Sequence, residues 1–344
     1  MARFILPPGG IATGIGALPH TDPAAGCDAV RRIFYEFPYI PTFPRRGICE
    51  TIVFNDSSRL PGRIIREGKL LVDSGRDLSS EMEQIYLDYV ECNTAPYGLN
   101  PRYATGFFGM MKEPLPEARW LKYQVTGPVT FGMQVVDAGK RPIYYDEQFA
   151  DVLPKMLGLR AKWCETEMKA RTGIEETVIV LNEPYFSSLG SSVIPIDRGS
   201  VESGWHDIAT LLEGGLGVHC CANTDWEFVM SLLPSVLSFD AYQNARELLL
   251  YKDALCEFLE AGGIVAWGIV PADYQVFSKE TPESLYLRYM EIRSSATEIV
   301  SEDLFDSNSL ITPSCGIQFA DEAGSVAIME AARAVSDRVR GNSG

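Results

Sequence analysis

Val218-His219-Cys220-Cys221-Ala222-Asn223 holds the residues of this chain best suited to chemistry. It reads as a short buried strand that ends in a pair of metal ligands. Side chains alternate between the two faces of a strand, so His219 and Cys221 project together and Cys220 turns the other way. Imidazole and thiolate together suit a borderline-soft ion such as Zn²⁺. The chain has only three histidines, which gives weight to one that stands beside two cysteines. The competing reading is a satisfied core histidine flanked by two small buried thiols.

The elements around this stretch decide whether its side chains can converge with others. Short apolar runs alternate with long amphipathic segments. The runs Ala12–Leu18, Tyr39–Phe43, Leu121–Thr126, Val178–Asn182, Gly217–Cys221, Val236–Asp240, Ile264–Ile269 and Leu310–Cys315 read as buried parallel strands. Apolar residues recur at three and four in Ser79–Tyr89, Glu147–Thr172, His206–Glu213, Asp225–Leu233, Ala245–Glu260, Pro282–Val300 and Asp321–Val339, which predicts helices. Eight strands alternating with helices predict an α/β fold of the (β/α)8 TIM-barrel type, as one domain over residues 1–344. A doubly wound open sheet is the weaker alternative, because no glycine-rich phosphate turn follows a strand. Residues 45–119 interrupt the alternation between the second and third strands. This insertion predicts a hairpin, Thr51–Phe54 with Lys69–Val72, and a helix, and it brings Glu50 close to the barrel mouth.

In such barrels chemistry sits at the C-terminal ends of the strands. Those ends supply His20, Asn182-Glu183-Pro184, His219-x-Cys221, Asp240-Ala241-Tyr242 and Cys315-Gly316. His219, Cys221, Asp240 and Cys315 form a plausible zinc set from three strands. Cys220 is the rival ligand, disfavoured by strand alternation. Asp240 is either a fourth ligand or an outer acceptor for an imidazole N–H. Tyr242 and Trp267 are candidates to wall the pocket, with aromatic core packing as the alternative.

Composition narrows the partners. With 46% hydrophobic and 22% charged residues the chain is an ordinary globular protein. A net charge of −16 argues against nucleic acid or an anionic membrane as the main partner. No apolar run is long enough for a transmembrane helix, and residues 1–16 lack the pattern of a signal peptide. The eight cysteines show no secreted disulfide framework, so a cytoplasmic location is expected.

Taken in order, five motifs resemble the catalytic barrel of cobalamin-independent methionine synthase. They are Ile15-Gly16-Ala17-Leu18-Pro19-His20-Thr21, Thr126-Gly127-Pro128-Val129-Thr130, Asn182-Glu183-Pro184, His219-Cys220-Cys221 and Pro313-Ser314-Cys315-Gly316. The resemblance runs from about residue 11 to about residue 320. His219 to Thr224 and Ser238-Phe239-Asp240 also resemble the uroporphyrinogen decarboxylase-like corrinoid methyltransferases. The resemblance implies a zinc-dependent methyltransferase acting on a small thiol, with homocysteine as leading acceptor. It implies zinc on His219, Cys221 and Cys315, with Asp240 where the family has glutamate. It assigns Asn182 and Glu183 to orienting the acceptor and His20 to positioning donor or acceptor. Ala17, Glu50 and Tyr242 complete the expected substrate site. The single barrel is similar to short methionine synthases that take the methyl group from a corrinoid protein; methyl-folate is the second candidate donor. The departures are Ala17 for serine and Asn182 for the aspartate that meets an amino group. Two further readings are decarboxylation of a porphyrinogen and a non-catalytic zinc-binding barrel.

Overall fold

The computed structural model describes residues 8–341. Its main sheet has seven parallel strands: β1 (Ile11–Ala12), β2 (Leu121–Thr126), β3 (Thr177–Asn182), β4 (Gly215–Cys220), β5 (Val236–Phe239), β6 (Ile264–Val270) and β7 (Ser309–Pro313). Hydrogen-bonded neighbours run in the order β1-β7-β6-β5-β4-β3-β2, so the sheet curls with chain order preserved from β2 to β7. Every registered pair is parallel. This is the α/β arrangement expected from strands that alternate with helices.

The predicted second strand, Tyr39–Phe43, is reduced to two isolated bridges, Ala17 to Thr42 and Tyr39 to Lys122. Ile40 N donates to Lys122 O at 2.8 Å and Leu18 N to Thr42 O at 2.9 Å, so the segment still spans the gap between β1 and β2. The reason is chemical. Pro38, Pro41 and Pro44 punctuate the run, and each lacks the N–H that a ladder requires.

Strand alternation sorts the side chains into two cores. Ile11, Val178, Val180, Val236, Ile264, Ala266 and Leu310 pack inside the curl with Phe37 and Trp120. Their strand neighbours, among them Leu121, Ile179, Val218, Leu237, Val265 and Ile311, join the larger core beneath the helices. Burying a Val, Leu or Ile side chain stabilises by about 1.5–3 kcal/mol, so both layers favour this register.

The predicted helix Glu147–Thr172 forms over those residues, capped by the Asp146 carboxylate on the amides of Gln148 and Phe149 and closed by Gly173 at φ 71°. Other bounds shift. The segment expected as one helix from Ala245 to Glu260 breaks into Ala241–Leu248 and Lys252–Glu260. The helix expected from His206 begins earlier, as Arg198–Leu211. Among the described residues no helix is long and apolar enough to cross a membrane.

The insertion differs from expectation in one pairing. Thr51–Phe54 is not a strand, because Ile52–Asp56 is helical. Lys69–Val72 pairs instead with Arg63–Arg66, antiparallel, across a tight turn at Glu67 and Gly68. Both turn residues have positive φ, 52° and 71°, as two-residue hairpins favour. Lys69–Val72 also pairs in parallel with Val136–Asp137.

Candidate metal centre

β4 ends at Cys220, and its alternation places the ligand pair. Val218 and Cys220 are buried in the helix-side core, where the Cys220 thiol donates to Ala222 O at 3.4 Å. His219 and Cys221 face the other way, into a cavity of about 630 Å³. Cys315 reaches the same cavity from the turn after β7. The ligand atoms of His219, Cys221 and Cys315 lie within 4.8 Å of one another.

The imidazole is oriented from the next strand. Its Nδ1 is 2.9 Å from Ser238 Oγ on β5, and register pairs the two residues directly. Its Nε2 is buried without a hydrogen-bond partner. If Nδ1–H donates to Ser238, Nε2 carries a free lone pair beside two thiols. The thiol pair shares protons unequally. Hydrogen bonding from Cys315, helped by the adjacent His219, pulls the Cys221 thiol well below its ordinary range, while Cys315 is pushed upward mainly by bonding to Cys221. An orphaned imidazole nitrogen and two sulfurs in one cluster fit zinc, which takes imidazole nitrogen and thiolate sulfur.

Asp240 stands outside that cluster. It caps the helix Ala241–Leu248: Oδ1 accepts from Gln243 N and Oδ2 from Gln243 Nε2, both at 3.0 Å. Burial pushes its carboxyl up to about 6.

The remaining predicted site residues separate. Ala17 and Asn182 line the cavity. Asn182 Oδ1 accepts from Gln124 Nε2. Gly16, beside Ala17, has φ 26°, and a Cβ there would meet Gln124 Oε1 at 2.7 Å. Glu183 does not line the cavity. Its buried carboxylate accepts from Val129 N at 3.0 Å, Thr130 N at 2.8 Å and Thr130 Oγ1 at 2.6 Å. It closes the start of the helix Pro128–Gln134, and Gly127 makes room, because a Cβ there would lie 2.2 Å from the Glu183 side chain. Glu50 is buried outside the cavity lining, held by Arg46 Nε at 2.9 Å and Thr105 Oγ1 at 2.8 Å. His20 is buried and also outside the lining; desolvation lowers its pKa. Tyr242 points to Glu280, donating its hydroxyl at 2.6 Å, with the Arg288 guanidinium 4.1 Å from the ring centroid. Trp267 is core: its Nε1 donates to Ser309 Oγ at 3.0 Å, between Phe239 and Phe305.

Two residues given no role by the sequence enter the site, Ser238 behind His219 and Gln124 behind Asn182. Ser238 is the one polar residue in the run Val236–Phe239, and that interruption was a signal available; Gln124 shares its strand with Lys122 and Thr126, so polarity alone did not single it out. Thr126 and Arg45 also line the cavity.

No protein-family model matches the chain, and no curated protein does. Among solved structures, it is similar to a B12-independent methionine synthase from Shewanella sp. W3-18-1, solved with selenomethionine, at 19% identity and a TM-score of 0.42. That match covers 64% of this chain and 62% of the other, so the chain spans less than two thirds of that protein. It is also similar to a Listeria monocytogenes protein provisionally described as a vitamin-B12 independent methionine synthase, at 13% identity and a TM-score of 0.61. That likeness covers 98% of both chains and establishes the fold: the curled parallel α/β sheet with its covering helices is shared with that structure.

Proposed function

We propose that the chain is a zinc-dependent methyltransferase that methylates a small thiol in the cavity above His219, Cys221 and Cys315. The observation that carries this reading is the convergence of one orphaned imidazole nitrogen and two thiols on a substrate-sized cavity. The fold shared with the Listeria protein supports the same class of reaction. Zinc, when bound, favours the deprotonated form of a thiol that joins its ligands and so supplies a nucleophile near neutral pH.

The chain's own residues do the rest. His219, Cys221 and Cys315 would hold the ion, and three protein ligands are the number that leaves a tetrahedral position for substrate. Ser238 fixes the imidazole so that Nε2 faces the thiols. Ala17 and Gly316 form a small-residue wall beside the cluster, and Asn182 with Gln124 gives the cavity an amide edge that can orient a polar tail. Glu183 serves by shaping the loop before Pro128 rather than by touching the acceptor.

For the donor, the vitamin-B12 independent description of the Listeria protein gives a corrinoid carrier no support and favours a methylated folate. The test loads purified protein with zinc and follows thiol loss and methyl-thioether formation with methyl-folate and, separately, with methylcobalamin. Zinc-dependent transfer from either donor is the expected result. A metal-free protein as active as the loaded one would overturn the reading.

A further inference from the structure

We infer that the acceptor is a small thiol that carries no ammonium group and ends in a hydrogen-bond acceptor such as a carboxylate, an inference that rests on the thiol-methylation reading above. Among the described residues no aspartate or glutamate lines the cavity, and the single charged lining residue is Arg45. The carboxylates nearby are committed elsewhere. Glu183 is spent on the amides of Val129 and Thr130. Asp240 is spent on Gln243, and Glu50 on Arg46 and Thr105. Asp56 accepts from Thr126 N at 2.8 Å and is fully buried against Arg160. An amino-acid thiol would therefore bring its ammonium against amides, hydroxyls and apolar walls, with only water to balance the charge.

Gln124 Oε1 is a buried acceptor on this wall, but a neutral amide oxygen does not balance an ammonium charge, and the wall also offers donors. Asn182 lines the cavity and uses its Oδ1 on Gln124, so what its side chain has left to offer a ligand is its amide N–H groups. Among the described residues Arg45 is engaged through Nη2, on Ala320 O at 2.7 Å and Phe319 O at 3.5 Å, with no partner among them for its other nitrogens. These suit an anionic or carbonyl tail. The chain's net charge of −16 opposes anions only at long range, since physiological salt screens beyond about 8 Å.

The pair that isolates the ammonium is 4-mercaptobutanoate against homocysteine, which differ only by that group. Zinc-loaded protein is titrated with each by calorimetry, with no methyl donor present. The mercapto acid should bind roughly 10-fold or more tightly, the scale of leaving a charged group unpaired. Asn182→Asp, which puts a carboxylate on the cavity wall, should narrow or reverse that ratio. Homocysteine binding as tightly as the mercapto acid, or more so, overturns the inference and leaves methyl transfer standing. Preference for the mercapto acid without transfer from any donor sustains the inference and removes the transfer reading. Failure of both thiols to bind overturns both.

Discussion

At the scale of single residues, the centre depends on which sulfur faces which side of one strand. Cys221→Ser and Cys315→Ser should each remove most of the bound zinc, because each deletes a thiolate from the cluster. Cys220→Ser should leave zinc content nearly unchanged, since its thiol lies in the helix-side core. Equal loss in all three, measured by metal analysis of purified variants, would refute the assignment by strand face. Ser238 gives a finer test. Removing the group that orients a metal-bound histidine typically costs ~10–100-fold in affinity. Ser238→Ala should therefore weaken zinc binding by that factor in a chelator competition, with the circular dichroism spectrum unchanged.

At the scale of elements, two buried contacts join segments distant in sequence. Glu183 follows β3 and closes the helix that follows β2. Its carboxyl is raised to about 7 by burial, against the pull of Thr130 and Val129. Glu183→Ala leaves two buried amides without an acceptor and should lower unfolding stability by about 1–3 kcal/mol in a urea titration. Zinc content should persist; loss of zinc with full stability would point back to a role at the metal. The second contact pins the insertion. Arg160, on the helix Glu147–Thr172, has its Nε 3.9 Å from Asp56 Oδ1 and donates through Nη2 to Asn55 O at 2.9 Å. Asp56 in turn accepts from Thr126 N at the end of β2, beside the cavity. Arg160→Met leaves a buried carboxylate without its cation and should cost about 3–5 kcal/mol by the same measurement. A loss within error of zero would show that the insertion is held by apolar packing alone.

At the scale of the whole molecule, one cation sits inside the curled sheet. Lys122 on β2 is buried, donates to Gly14 O, and has its ammonium 6.0 Å from the centroid of the Tyr39 ring. Desolvation pushes its pKa down to about 7 from 10.5. A lysine whose pKa is lower when folded binds fewer protons in the native state than in the unfolded state between those values. Its contribution to stability therefore rises with pH from about 7 toward 10.5 and is flat below 7. Denaturant unfolding of the wild type and of Lys122→Met at a series of pH values checks this. The difference between them should shift in favour of the wild type as pH rises above 7. A difference independent of pH would place a charged lysine in the folded barrel.

The parallel α/β arrangement was legible because it rests on local pattern: buried runs of β-branched residues, helical periodicity, and caps such as Asp146 and Gly173 at the ends of one long helix. The pairing of His219 with Cys221 was legible for a related reason. A period of two in β4 decides that His219 and Cys221 share a face, whatever surrounds them. Convergence of Cys315 on that face, and the fate of each carboxylate, depend on contacts between elements far apart in the chain. Asp240, Glu183 and Glu50 are all acids near strand ends, and nothing in their spacing distinguishes a ligand from a helix cap or an ion pair. Only packing commits them to Gln243, to the amides of Val129 and Thr130, and to Arg46 with Thr105. The sequence by itself determined the alternation of strands with helices and the shared face of His219 and Cys221, because both follow from periodicity along single segments. Tertiary structure alone decided that, among the described residues, no carboxylate lines the cavity, because each buried acid must find a donor, and those donors are set by which elements meet in space.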